Sequence, residues 1–89
     1  MDVHAEGGSA ENVASQFLAA ELRSELIRRK RAIGEAAEVL EITTATMARR
    51  LSGETPLTVV DVVALCRWLD VEPAELMKRA ERQATAVAS

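Results

Sequence analysis

Residues 34–53 read GEAAEVLEITTATMARRLSG and contain two short helical patterns that are separated by a turn. The first pattern predicts a helix over 34–40, because apolar residues at i, i+3, i+4 and i+7 mark one buried face. These residues are Ile33, Ala36, Ala37 and Leu40. Thr43 predicts the N-cap of the next helix, because threonine is favoured at that position. This helix is predicted to run through Leu51 and to end at Ser52–Gly53, since glycine is favoured just past a helix end.

Two short helices with a tight turn between them form a candidate helix-turn-helix. Ala37 supplies the small residue that the earlier helix needs where the later one crosses it, and Ile42 and Met47 face inward. The residues left on the outer surface of the later helix, with Ser52 just beyond, are Thr44, Ala45, Ala48 and Arg49. An ordinary αα-hairpin in a small helical bundle is compatible with the same spacing.

The short side chains on this outer surface predict contact with double-stranded DNA. They let a helix approach the floor of a major groove about 12 Å wide, where a threonine donates, accepts or contacts the thymine methyl group. Arg49 is long enough to reach a guanine edge or a phosphate. Between Leu22 and Gly53 the chain has seven basic and four acidic residues, although its net charge is −3. This segment therefore presents a positive surface to a polyanion, although a solvated charged face with cations at a helix end accounts for the same residues.

The segments on both sides predict three more helices and no strand. A long first helix is predicted over 9–31 from apolar residues at helical spacing. These are Val13, Phe17, Leu18, Leu22, Leu26 and Ile27. Thr58 with Asp61 three residues later predicts a capping box and a fourth helix over 58–69. That helix is apolar nearly all round, so it is either the central helix or meets a partner. A fifth helix is predicted over 73–83, with proline at its first position.

The length of 89 residues predicts a single domain. Residues 1–8 are small and polar and predict a disordered N-terminal arm, 9–83 form the domain, and 84–89 form a frayed C-terminal tail. Hydrophobic residues make up 48% of the chain and aromatic residues only 2%, so the core must be aliphatic. A domain of this size buries only about 60% of its unfolded surface, and homodimerisation would supplement its stability.

The segment from Leu22 to Leu76 resembles the Cro and lambda-repressor family of DNA-binding domains. Its residues ARRLSGETPLTVVDVVALCRWLDVEPAEL are similar to the pattern SRRLSGE…LTV…L…LDV.P..L of phage and actinobacterial members. The resemblance implies five α-helices, of which the second and third form the helix-turn-helix. It also implies that the start of the second helix, at Gly34, meets phosphate. The residues that it implies lie at or near DNA bases are Thr43, Thr44, Ala45, Ala48 and Arg49.

Other residues are candidates for phosphate contacts around this reading surface. Basic side chains at the end of the first helix lie just before the motif, and Ser52 lies just after the third helix. Arg50 is expected to reach outward to phosphate or to Glu54. Glu41 stands in the turn where the family usually has glycine, and a left-handed conformation there costs about 1–2 kcal/mol. The complete set of phosphate candidates is Arg28, Arg29, Arg31, Gly34, Arg50 and Ser52.

The sequence therefore predicts a sequence-specific DNA-binding transcriptional regulator, similar to a phage Cro protein or immunity repressor. The alternative is a protein-interaction module of the same fold, similar to an antirepressor or antitoxin, that does not bind DNA. No catalytic cluster, metal-ligand spacing or phosphate-binding loop is evident, so we expect no enzyme activity, cofactor, metal or small-molecule ligand. No segment predicts an export signal or a membrane span, which favours the cytoplasm, or the host cytoplasm for a phage protein.

A homodimer is expected, at least on DNA, because two-fold pairing doubles the site that one helix reads. The favoured surface lies on the last two helices, at Trp68, Leu76 and Met77. The other candidate surface lies on the first helix around Val13, Phe17 and Leu18, unless these residues cover the core.

Overall fold

The computed structural model describes the backbone of residues 3–88 and the side chains of residues 16–87, and in this part of the chain all regular structure is helical. The helices are α1 (Val3–Arg28), α2 (Ile33–Leu40), α3 (Thr44–Leu51), α4 (Val59–Leu69) and α5 (Pro73–Ala88). The predicted all-α, five-helix fold is confirmed over these residues. None of these helices is long and apolar enough to cross a membrane.

The helices pack around one aliphatic core. Helix α1 packs on α3 and α5, and α2 packs on α3 and α4. Ala36 and Ala37 are buried and have short side chains, so α2 approaches its neighbours closely. Each large buried aliphatic side chain contributes about 1.5–3 kcal/mol of hydrophobic free energy. The core residues are Leu22, Leu26, Ala36, Ala37, Met47, Leu51, Val62, Leu65, Cys66, Leu69 and Leu76.

Local caps set the limits of the two helices that matter most for the site. The Thr43 side chain accepts a hydrogen bond from the Thr46 N–H at the start of α3. Thr58 and Asp61 form the predicted capping box at the start of α4. Glu41, with φ of 58°, takes the left-handed conformation expected in the turn between α2 and α3. Gly53 follows α3 with φ of 87°, which an L-residue rarely adopts.

Two helices are longer than the sequence predicted. Helix α1 begins at Val3 rather than at residue 9, so the backbone of the expected arm is helical over residues 3–8. Helix α5 continues to Ala88 instead of ending near residue 83. Neither segment contains a proline that would interrupt the backbone hydrogen bonds, and the small polar residues and adjacent glycines that suggested a disordered arm do not stop α1. Residues 1–2 and 89 lie outside the described residues.

Several apolar residues expected on buried faces are exposed. Ile27 is 77% exposed, because it lies about 100° around α1 from the buried row that contains Leu22 and Leu26. Ile33 is 38% exposed at the first position of α2, beyond the core. Helix α4 is central along most of its length, but Val59 and Val60 at its start are 68% and 75% exposed.

Candidate nucleic-acid interface

Helix α3 has one buried side and one open side. Met47 and Leu51 are buried and hold the helix against the core. The open side consists of the residues predicted to read DNA, and all of them are exposed: Thr43, Thr44, Ala45, Ala48 and Arg49. Apart from the arginine these side chains are short, so the axis of α3 can approach a flat or concave partner closely.

The start of α2 lies beside the start of α3. A Cβ atom added at Gly34 would lie 3.7 Å from the Thr44 hydroxyl oxygen, so the two positions are in direct proximity. This proximity depends on the left-handed Glu41, whose N–H closes α2 on the carbonyls of Ala37 and Glu38. The structure therefore brings the phosphate candidate Gly34 next to the reading candidate Thr44.

Thr46 is a site residue that the sequence analysis missed. Its hydroxyl accepts a hydrogen bond from Thr43 Oγ1 at 2.9 Å and one from Arg49 Nη2 at 3.5 Å. These three residues follow at spacings of three and therefore lie along one side of α3. The spacing was visible in the sequence, but a threonine within a helix is usually only a polar surface residue.

The C-terminal end of α3 holds the backbone of Arg49. Its carbonyl oxygen accepts hydrogen bonds from the Ser52 hydroxyl at 3.0 Å and from the backbone N–H groups of Glu54 and Thr55 at 3.0 and 3.2 Å. The Ser52 hydroxyl also accepts from the Glu54 N–H at 3.4 Å. The only proton of this hydroxyl is thus already donated, which leaves Ser52 an acceptor rather than a donor toward phosphate.

Three arginines form ion pairs with one buried carboxylate where α1 meets α5. Glu25 has a side chain only 2% exposed, and it accepts hydrogen bonds from Arg28, from Arg29 Nε at 2.9 Å and from Arg79 Nη1 at 2.7 Å. Burial alone raises the pKa of Glu25, but the hydrogen bonds from Arg79 and Arg29 and the charge of Arg28 outweigh burial and hold it below its ordinary value. The phosphate candidates Arg28 and Arg29 are therefore committed to an internal partner, although both remain partly exposed.

The other two arginine candidates for phosphate are also paired. Arg31 Nη1 lies 3.5 Å from a carboxylate oxygen of Glu35, and its guanidinium stacks 5.5 Å from the ring centroid of Trp68. Arg50 Nη1 lies 3.0 Å from Asp61 Oδ2, so its partner is on α4 and not at the expected Glu54. This ion pair holds α3 against α4 and turns Arg50 away from the open side of α3.

Arg49 differs from these arginines because no described carboxylate pairs with it. Its side chain donates only to the Thr46 hydroxyl among the residues that the structure describes. It is also the longest side chain on the open side of α3. A free guanidinium amid short side chains is suited to hydrogen-bond acceptors on a partner.

The candidate dimer residues fall into different environments. Leu76 is fully buried in the core, so its prediction as a surface residue is wrong. Adjacent apolar residues of a helix point about 100° apart, and here Leu76 faces inward while Met77 stays 38% exposed. Trp68 is half-buried, packs against the core and is covered on one side by Arg31. Phe17 is half-buried, and Val13 lies outside the residues whose side chains are described.

An apolar groove remains between α1 and α5 beside these residues. Its lining is Leu18, Met77, Ala80, Glu81 and Ala84.

Over the described residues, no group of three or more His, Cys, Asp or Glu side chains could hold a metal ion. Burial raises the pKa of the Cys66 thiol, so this core cysteine stays protonated near neutral pH.

Two crystal structures of the clp gene regulator ClgR from Corynebacterium glutamicum are similar to this fold. One has a TM-score of 0.72 at 18% sequence identity and covers 79% of this chain and 91% of the ClgR chain. The other has a TM-score of 0.77 at 19% identity and covers 84% of this chain and 80% of the ClgR chain. No family model and no curated protein matches the sequence. At this level of identity the similarity establishes a shared fold.

Proposed function

We propose that this chain is a sequence-specific double-stranded DNA-binding protein that regulates transcription. The open side of α3 carries the proposal, because it combines short side chains with the one long side chain of Arg49, which no described carboxylate neutralises. A helix of this kind fits a major groove, and an arginine on its exposed side recognises acceptors on base edges. The fold shared with the clp gene regulator ClgR supports the same function.

In this proposal the residues have two kinds of role. Thr43, Thr44, Ala45, Ala48 and Arg49 face base edges, and the start of α2 at Gly34 lies against the DNA backbone. The partly exposed arginines at the end of α1, Arg28, Arg29 and Arg31, lie at the edge of the groove, where each contacts phosphate only by giving up its carboxylate partner. A Cro-like or repressor-like role in the cytoplasm is proposed from the sequence resemblance alone.

The test begins with selection of bound sequences from a pool of random DNA duplexes. The affinity of each variant for the selected duplex is then divided by its affinity for random duplex, at two salt concentrations. Arg49→Ala and Thr44→Ala are expected to lower this ratio, because removal of a base contact costs about 1–3 kcal/mol on the preferred site only.

Arg29→Ala is the matched control for the same measurement. It removes a predicted phosphate contact and is expected to weaken binding to all duplexes while leaving the ratio nearly unchanged. An unchanged ratio for both Arg49→Ala and Thr44→Ala would exclude α3 as the reading element. A ratio that falls for Arg29→Ala instead would move the reading surface to α1.

We also propose a homodimer on DNA, with the groove between α1 and α5 as its contact surface. Met77 and the small Ala84 leave this groove open, and its lining is mostly apolar. Met77→Asp is expected to abolish dimerisation without loss of helix content, because an aspartate there would be buried without a partner. Light scattering of the free protein and of its complex with a palindromic duplex tests this. A monomer in both states would contradict the proposal.

A second function is favoured by one observation, which is the pairing of Arg28, Arg29, Arg31 and Arg50 with carboxylates. These pairs reduce the free positive charge, as expected for a protein-interaction module that keeps the fold but does not bind DNA. Retention on heparin or on random duplex at low salt distinguishes the two functions. Failure to bind either matrix would favour the interaction module.

A further inference from the structure

The Thr46 hydroxyl on α3 accepts two hydrogen bonds within the protein and can still donate one. A threonine hydroxyl has one proton and two acceptor lone pairs. Thr43 Oγ1 and Arg49 Nη2 both donate to Thr46 Oγ1, so both acceptor positions are occupied. With the Thr43 hydroxyl as the donor of this pair, the Thr46 proton donates to no acceptor among the described residues and is available to donate to a partner molecule.

The same oxygen also fixes where Arg49 points. Thr43 is held in place because its own hydroxyl accepts the Thr46 N–H at the N-cap of α3. The backbone of Arg49 is held at the other end of the helix by the hydrogen bonds from Ser52, Glu54 and Thr55 to its carbonyl. The contact from Arg49 to Thr46 then draws the guanidinium back along α3 and limits its freedom. Such preorganisation lowers the entropy lost on binding.

We propose that Thr46 positions Arg49, and that the two side chains together read the major-groove edge of a guanine. The inference rests on the proposed function and adds the base that α3 prefers. Both side chains present only donors, and guanine is the base that offers two acceptors, N7 and O6, on this edge. Adenine offers N7 but places its N6 amino group beside it, so one donor would face another donor.

The experiment compares two duplexes that carry guanine or adenine at one position of the selected site. This position is the base pair at which Arg49→Ala loses the sequence preference of the wild type. Thr46→Val removes the hydroxyl and keeps the β-branched shape, Thr46→Ala removes it with a better helix former, and Thr46→Ser retains it. Thr55→Val is the matched control, because Thr55 is exposed beyond α3 and its side chain makes no hydrogen bond among the described residues. Circular dichroism melting confirms that each variant is folded.

The preference of the wild-type protein for guanine over adenine is expected to fall about tenfold in Thr46→Val and Thr46→Ala, as for the loss of one hydrogen bond. Thr46→Ser and Thr55→Val should keep the preference. In an Arg49→Ala background, Thr46→Val should have a clearly smaller effect on the preference, because the part of its role that positions Arg49 is already lost. A merely structural role would instead weaken binding to both duplexes equally.

Four results would overturn the inference. The first is an unchanged guanine preference in the folded Thr46→Val and Thr46→Ala variants. The second is an effect of Thr46→Val that remains in full when Arg49 is absent. The third is a wild-type protein that binds its selected site without any preference for guanine, which overturns this inference alone. A wild-type protein that prefers no duplex over random DNA overturns the proposed function as well.

Discussion

Replacement of Glu25 by glutamine tests whether its arginine cluster stabilises the fold. The glutamine keeps the shape of the side chain but removes the charge that holds Arg28, Arg29 and Arg79. Its amide group also directs two N–H donors toward guanidinium groups that only donate. The variant is expected to be less stable because amide N–H groups then face guanidinium N–H groups, while the apolar packing is unchanged.

The size of this loss follows from the exposure of the residues involved. Removal of one partner from a fully buried ion pair costs about 3–5 kcal/mol, mainly because the other charge stays buried. Here the remaining arginine side chains are 59%, 40% and 29% exposed, so each can turn partly to water. We therefore expect a loss of about 2–3 kcal/mol in the free energy of unfolding. For a small domain this corresponds to a fall in Tm of roughly 10–20 °C.

The cluster also predicts how stability depends on pH. The pKa of Glu25 is lower in the folded protein than in the unfolded chain, so the unfolded chain binds the proton more readily. The contribution of Glu25 is therefore complete above the unfolded pKa and is lost as the pH falls through the folded pKa. The difference between wild type and Glu25→Gln should be largest at pH 7 and should shrink below about pH 4.

Urea denaturation followed by circular dichroism at pH 7 and pH 3 measures both effects. Glu75→Gln is the control, because Glu75 pairs with the same Arg79 at 3.5 Å but is 47% exposed. Such a surface pair contributes about 0–1 kcal/mol. If Glu25→Gln costs no more than Glu75→Gln, or if its cost is the same at both pH values, the assignment of Glu25 as a stabilising buried charge is wrong.

Three experiments test the turns and the contact that hold α3. Gly53→Ala should lower the free energy of unfolding by about 1–2 kcal/mol, because φ is 87° and the added Cβ would lie 2.9 Å from Gln16 Cγ; an unchanged urea midpoint would contradict this. Glu41→Gly should raise it by about 0.5–1 kcal/mol, since glycine adopts the left-handed turn without strain, and a loss of stability would refute this explanation. Asp61→Asn keeps the capping acceptor but removes the charge that faces Arg50. A double-mutant cycle with Arg50→Met should therefore give a coupling free energy of about 1 kcal/mol. A coupling of zero would show that this ion pair does not connect α3 to α4.

The helices around the site were predictable from sequence because their limits depend on local signals. Thr43 and Thr58 cap α3 and α4 through hydrogen bonds to residues three positions along the chain, and Gly53 comes just after the C-cap residue Ser52 of α3. The outer surface of α3 was predictable for the same reason, since Met47 and Leu51 determine which side is buried. Hydrophobic spacing within a short helix is sufficient for that assignment.

The pairs of Arg28, Arg29 and Arg31 follow helical spacings of three or four residues, but the partners of Arg50 and Arg79 could not be predicted in this way. Arg79 and Glu25 are 54 positions apart, and Arg50 and Asp61 are 11 apart, so only the packing of α1 on α5, and of α3 and α4 on α2, brings them together. The same limit explains Leu76, because both it and its neighbour are apolar and only tertiary packing decides which of them faces the core. Local patterns identify helices and their buried sides, whereas ion pairs between different helices depend on the assembled fold.

Charge pairing has a consequence for the proposed DNA complex. Seven basic residues lie between Leu22 and Gly53, and if each neutralised a phosphate, the slope of log affinity against log salt would be about −6 per protomer. Arg28, Arg29, Arg31 and Arg50 already neutralise protein carboxylates, and Arg23 donates to the Leu51 carbonyl. Each of these arginines must give up an internal partner to contact a phosphate. Its contact therefore releases fewer DNA counterions on balance.

We therefore expect a shallow slope, about −2 per protomer, with specificity carried by α3 and not by the phosphate contacts. Glu25→Gln should steepen the slope by about one or two units, because it frees Arg28 and Arg29 beside the proposed groove. Glu75→Gln removes an equal charge on α5 and should leave the slope unchanged. Titrations from 50 to 200 mM salt, with the folded fraction checked at each point, measure these slopes. A wild-type slope near −6 would mean that the ion pairs open on DNA without cost. It would contradict the expectation that these pairs limit the number of phosphates that the protein neutralises.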